Sequence, residues 1–157
     1  MKKQKMKLAN IPWNLRPLLG LLAATVSLGL AGAVLAESDA QVCRPQTLNG
    51  SYVFTAQGFN IVSGAAQPKA IVEGIDFNGD GTLTVPFATV SINGLILHIP
   101  PGGTGTYTLD SNCQGTLTFA GGPTNYDIFV QKSGKELFMI QTDANTVFQG
   151  TVIRTSR

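Results

Sequence analysis

Charge is scarce in this chain: only 13% of its 157 residues are Asp, Glu, Lys or Arg, and histidine occurs once, as His98. Five of the eleven cations (Lys2, Lys3, Lys5, Lys7 and Arg16) stand in the first 36 residues, and beyond them six cations meet nine acids, a net charge of −3. No basic face remains to neutralise phosphates, which excludes nucleic acid as a partner. Cysteine is limited to Cys43 and Cys113, and two thiols with one histidine cannot fill a four-ligand metal site. No serine stands in a nucleophile elbow, and no glycine loop opens a helix to cradle phosphate. His98 has no second histidine or Cys–His spacing near it, so it reads as a surface-strand residue rather than a catalytic one. Helix is missing as well: no stretch beyond Glu37 keeps a helical apolar period for ten residues.

The first 36 residues are a different kind of chain. Their cations precede an uncharged run from Pro17 to Ala36 that ends in Val34-Leu35-Ala36, and the first acid follows at Glu37. A basic start, an apolar run and a small-residue exit predict a secretory signal peptide over 1–36, leaving no stable membrane anchor after cleavage. An uncleaved anchor is the alternative, and Gly20, Thr25, Ser27, Gly29 and Gly32 weaken it as a spanning helix. The expected location is the periplasm or the medium. In an exported chain an even cysteine count favours a Cys43–Cys113 disulfide over free thiols.

What is present is glycine, threonine and two-residue alternation. Gly81-Thr82-Leu83-Thr84-Val85, Gly105-Thr106-Tyr107-Thr108-Leu109 and Gly115-Thr116-Leu117-Thr118-Phe119 are near-copies of one strand phrase with one wet and one buried face. The second and third, joined by Asp110 to Gln114, predict a hairpin. Around them a polar lead-in (37–47) precedes strands at Gly50–Phe59, Lys69–Phe77, Thr82 to about Ile92, Leu95–Ile99, Asn125–Lys132, Glu136–Thr142 and Val147–Arg154. Ser63–Pro68 reads as a loop, Asn78–Gly81 and Asn93-Gly94 as turns, and Pro86 as a bulge or bend inside its strand. The expectation is an all-β domain over 48–157: a single up-and-down antiparallel barrel of eight or nine strands, closed to remove its edges. Several strands are apolar on both faces, as at Leu137–Ile140, which leaves a homo-oligomer or a flattened sandwich open.

The phrases Leu48–Phe54, Asp110–Phe119 with its cysteine, and Lys135–Asp143 resemble a group of small exported bacterial proteins whose barrels are similar to those of allene oxide cyclases and dirigent proteins, within the calycin-like shape. The resemblance spans Leu48 to Arg154 and implies a barrel. Allene oxide cyclases hold an epoxide in an apolar barrel beside a buried carboxylate. No catalytic motif of theirs matches here residue by residue, so no catalytic residue is carried over.

Four constellations remain as candidates. Asp76-Phe77-Asn78-Gly79-Asp80-Gly81 copies the first half of a calcium loop, yet Phe87 stands where a bidentate glutamate belongs and strands flank it. A hairpin turn is the favoured reading, with a metal site at Asp76, Asn78 and Asp80 as the alternative. Glu73 shares a strand face with Ile71, Ile75 and Phe77. Facing inward, its carboxyl would have a raised pKa and could serve as a general acid. The semi-polar character of both faces favours the register that points it to water. Asp127, between Asn125 and Phe129, permits the same inward reading, and Tyr52 and Phe54 are further candidates to line a ligand site, though most simply core. The leading functional expectation is a non-enzymatic barrel, without cofactor, that binds a small apolar ligand or a protein partner. A cyclase- or isomerase-type enzyme using Glu73 and a structural oligomerising module are the alternatives.

Overall fold

The structure is a computed structural model that describes residues 42–121 and 124–157; the leader expected over 1–36 lies outside the described residues. The alternating phrases form ten strands: β1 (Asn49–Val62), β2 (Ala65–Asn78), β3 (Thr82–Val85), β4 (Ala88–Ile92), β5 (Leu95–Ile99), β6 (Gly103–Tyr107), β7 (Gln114–Phe119), β8 (Thr124–Val130), β9 (Glu136–Gln141) and β10 (Thr146–Ser156). Pairing runs β1-β10-β9-β8-β7-β6-β3-β2, and β2 returns to β1. The chain is therefore an all-β protein, an eight-stranded closed antiparallel barrel, with β4 and β5 as extra strands continuing one side.

Local chemistry explains the departures from the expected strand map. The bend at Pro86 divides the third strand: β3 pairs with the lower part of β2 (Phe77 opposite Leu83), and β4 pairs with its upper part (Ile71 opposite Val90). Gly74 makes the break possible. Its N–H donates to the carbonyl of Phe87 at 2.9 Å, and a Cβ there would lie 2.5 Å from the Phe87 ring. The loop expected over Ser63–Pro68 is much shorter. Ser63 and Gly64 alone turn, both at positive φ, and Ala65–Pro68 already pairs with Phe59–Val62. Proline is tolerated in that strand because the Pro68 carbonyl accepts from Asn93, beyond the end of β4, so its missing N–H falls where no strand needs it. Asn93-Gly94 turns as expected, with φ of 49° and 88°.

One end of the barrel is filled. Tyr52, Phe54, Ile75, Phe77, Leu83, Leu117, Leu137 and Val152 project inward and are almost completely buried. Edge-to-face contacts run from Tyr52 to Phe77 (5.1 Å) and from Phe77 to Tyr107 (5.0 Å), the geometry aromatic quadrupoles prefer. The lead-in is no polar appendage at this end. Cys43 and Leu48 are buried, and a 3-10 turn at Pro45–Thr47 lies across the base. Tyr107 Oη donates to the carbonyls of Pro45 (2.9 Å) and Leu48 (3.1 Å). Arg154 Nη2 donates to Thr47 O (3.0 Å) and its Nε to Tyr52 Oη (2.8 Å), which donates onward to Gly134 O (2.7 Å). The Cys43–Cys113 disulfide, with Cα atoms 5.0 Å apart, ties this segment to the β6–β7 turn.

Candidate functional site

Cross-strand partners in a sheet share a face, so the register decides which side chains look into the barrel. On β2 the inward set is Lys69, Ile71, Glu73, Ile75 and Phe77, opposite Gly58, Ala56, Phe54, Tyr52 and Gly50 of β1. Beyond β2 the same rows continue through Ile92, Val90 and Ala88 of β4 to Leu95, Leu97 and Ile99 of β5. Exposure rises along β2 from base to mouth and from Leu97 to Leu95 along β5, while Ala88 and Val90 of β4 between them stay buried. Ile75 is sealed, Glu73 is 7% exposed, and Ile71 is half-buried. Leu97 and Leu95, on the inner face of the overhanging β5, are 38% and 61% exposed. The barrel is thus filled below Glu73 and, above it, uncovered along the β2 and β5 side, while Phe148 stays sealed on the β10 side.

Glu73 lies below Lys69 on the inward face of β2, between Phe54 and Ala88. The outward register favoured from sequence is corrected here. Ile75 and Phe77 carry their face into the aromatic core, so the alternation leaves Val72 and Gly74 for the outer wall and brings Glu73 inside. Burial pushes its pKa from the ordinary 4.5 up to about 7, against the opposing pull of the Lys69 ammonium. No described donor reaches its carboxylate. Sealed polar atoms without a partner do not occur among the described residues, so the Glu73 oxygens keep contact with the mouth.

Around Glu73 stands a polar group that sequence reading missed. Tyr126 projects inward from β8, and burial, reinforced by the carboxylates of Glu73 and Asp143, holds its hydroxyl protonated far above the ordinary range. Asp143 accepts from Asn125 N (2.9 Å), Asn125 Nδ2 (2.7 Å) and Gln141 Nε2 (2.7 Å). Desolvation opposes its ionisation, but these bonds, with the Lys69 charge, keep it below the usual carboxylate range. Gln141 then presents Oε1 to Lys69 Nζ at 3.4 Å, and the ammonium lies 4.2 Å above the Phe148 ring. Burial lowers the Lys69 pKa, with Asp143 and Glu73 resisting. The signal that could have found Lys69 is its spacing, two strand steps from Glu73 on one face.

The other sequence candidates lie elsewhere. Tyr52 and Phe54 belong to the filled base, and the Tyr52 hydroxyl is taken up by Gly134 and Arg154. Asp127 is exposed, because Tyr126 and Ile128 take the inward positions of β8, and its inward reading is withdrawn. His98 is exposed on β5, with Nδ1 3.3 Å from Thr89 Oγ1.

Of Asp76–Gly81, the first three residues end β2 and Gly79, Asp80 and Gly81 form the β2–β3 turn. Asp80 Oδ1 accepts from Thr82 N (2.9 Å) and Thr82 Oγ1 (2.6 Å), and these bonds hold its carboxyl below the usual range. Asn78 Nδ2 donates to Thr82 Oγ1 (2.9 Å), and Gly79 and Gly81 have φ of 80° and 94°. Turn and ion site make different demands. Asp80→Ala should shift the melting temperature equally in calcium and in chelator. Gly81→Val should destabilise by about 1–3 kcal/mol, since its positive φ strains any β-branched residue. Calorimetry of both variants checks this, and a calcium-dependent rise in the parent that Asp80→Ala abolishes would reinstate the ion site.

Compared with known proteins, the chain matches no family model, and no curated sequence is similar to it.

Proposed function

We propose that this is an exported barrel protein that binds a small, largely apolar ligand in its mouth, between the inner face of β4–β5 and the polar group around Glu73. One observation carries the reading: on the β2 and β5 side of the mouth Ile71, Leu97 and Leu95 are partly or largely uncovered, while Val90, Phe148 and the base stay buried. An apolar wall opposite a few convergent polar groups is the usual composition of a small-molecule site. Export is supported by the basic and apolar leader and by the Cys43–Cys113 disulfide, which suits an oxidising compartment. The barrel shape agrees with the resemblance to allene oxide cyclase and dirigent barrels.

A neutral apolar fluorophore, N-phenyl-1-naphthylamine, tests the reading. Its emission should rise on titration with the exported protein, and Ile71→Trp, which fills the mouth at the level of Val90 and Leu97, should weaken binding about tenfold, or about 1.4 kcal/mol. A parent that gives no enhancement, or Ile71→Trp that folds and binds unchanged, removes the mouth as the site. An enzymatic reading is favoured by one feature, the unpaired Glu73 carboxyl near Tyr126. A molecule copurifying with the protein, and isomerised by the parent but not by Glu73→Gln, would replace binding with catalysis.

A further inference from the structure

β5 is the only one of the ten described strands with a single neighbour. Its pairing with β4 leaves the other row of N–H and C=O groups without a backbone partner among the described residues. Free edges are ordinarily blunted by a lysine, an internal proline or a bulge. Leu95-Ile96-Leu97-His98-Ile99 has none of these, and every one of its residues is exposed. Leu95, Leu97 and Ile99 lie on the inner face, and Ile96 and His98 on the outer.

We propose that β5 is the strand through which two copies of this chain pair, antiparallel, about a two-fold axis at Leu97. That axis sets Leu97 beside Leu97 of the second copy, Leu95 beside Ile99 and Ile96 beside His98, so the inner face matches apolar to apolar throughout. Residues 95–99 carry no Asp, Glu, Lys or Arg, so like meets like without repulsion. Val72 and Phe87, exposed on the adjoining wall, extend the uncharged apolar surface behind that edge. An isologous contact also closes on itself, which a head-to-tail edge contact does not. The pairing carries the apolar wall of each mouth into that of the other copy, and it stands whether or not a ligand binds there.

Sedimentation velocity on the exported protein should show a concentration-dependent dimer near 100 μM. Leu97→Lys, which sets two ammonium groups face to face, should raise the dissociation constant at least tenfold while the melting temperature stays within a few degrees. Register is read independently by cross-linking, because Cys43 and Cys113 are already paired and an added thiol is the only free one. Under mild oxidation Leu97→Cys should form a disulfide-linked dimer, and Ile96→Cys, whose neighbour is His98, should not. A parent that stays monomeric, whether or not an unrelated extended peptide adds to its edge, overturns the proposal. So does a Leu97→Lys variant that dimerises as before, or equal cross-linking at positions 96 and 97.

Discussion

Replacing both Cys43 and Cys113 by serine should lower the unfolding free energy by about 4 kcal/mol, the chain-entropy value for a loop of 70 residues. The melting temperature of a domain this size should fall by well over 10 °C. The effect is large because the bond holds more than two sulfurs. It anchors the segment whose carbonyls at Pro45, Thr47 and Leu48 accept from Tyr107 and Arg154, and whose Leu48 completes the base. Cys113 sits in a turn that supports it: Asp110 O accepts from Cys113 N, Asp110 Oδ1 accepts from the N–H groups of Asn112 and Gln114, and Cys113 is held at φ 68°. The loss should therefore extend beyond stability. Hydrogen exchange should accelerate first at Leu48 and at the Tyr107 and Arg154 amides, while β8 and β9 near the mouth stay protected. Chemical denaturation of the double variant against the parent measures the first effect, and a difference under 1 kcal/mol would mean the segment is held by its hydrogen bonds alone.

The barrel was legible in the sequence because its signals are local. Alternation in Tyr52–Phe54–Ala56, in Leu83–Val85 and in Leu137–Met139 needs only the period of the strand, and Asn93-Gly94 needs only positive φ. The disulfide followed from count and compartment. What was misread depends on partners distant in sequence. Ala65–Pro68 has the composition of a loop and becomes strand only because Phe59–Val62 supplies its ladder. Cys43 and Leu48 lie in a polar context and are buried because the barrel base needs a cover.

The mouth was the least legible part, for the same reason. Whether Glu73 faces in or out is fixed by ring closure, which commits Ile75 and Phe77 to the core. Pro86 announced a break in the strand, but not that the chain beyond it would leave the ring and overhang the opening. Lys69, Tyr126, Gln141 and Asp143 come from β2, β8, β9 and the β9–β10 connection, and apart from the neighbours Gln141 and Asp143 no spacing in the chain joins them to one another.

Glu73 supplies the second large effect, a dependence of stability on pH. Its folded pKa of about 7 lies above the ordinary 4.5, so protons bind more tightly in the folded protein. The stability this confers is complete below pH 4.5 and is lost as the pH rises through 7. The displacement corresponds to about 3 kcal/mol between those limits. Lys69 moves in the opposite sense, its pKa lowered by burial, with Asp143 and Glu73 resisting. Glu73→Gln keeps the shape and removes the titration, so its stability should be nearly flat between pH 4.5 and 7 and should exceed the parent's at pH 8. Urea unfolding of the two proteins at pH 5, 6, 7 and 8 gives the difference directly. Parallel profiles would show that the Glu73 carboxylate is solvated through the mouth as well in the fold as in the unfolded chain, and the site would then lack the desolvated acid on which any protonating role depends.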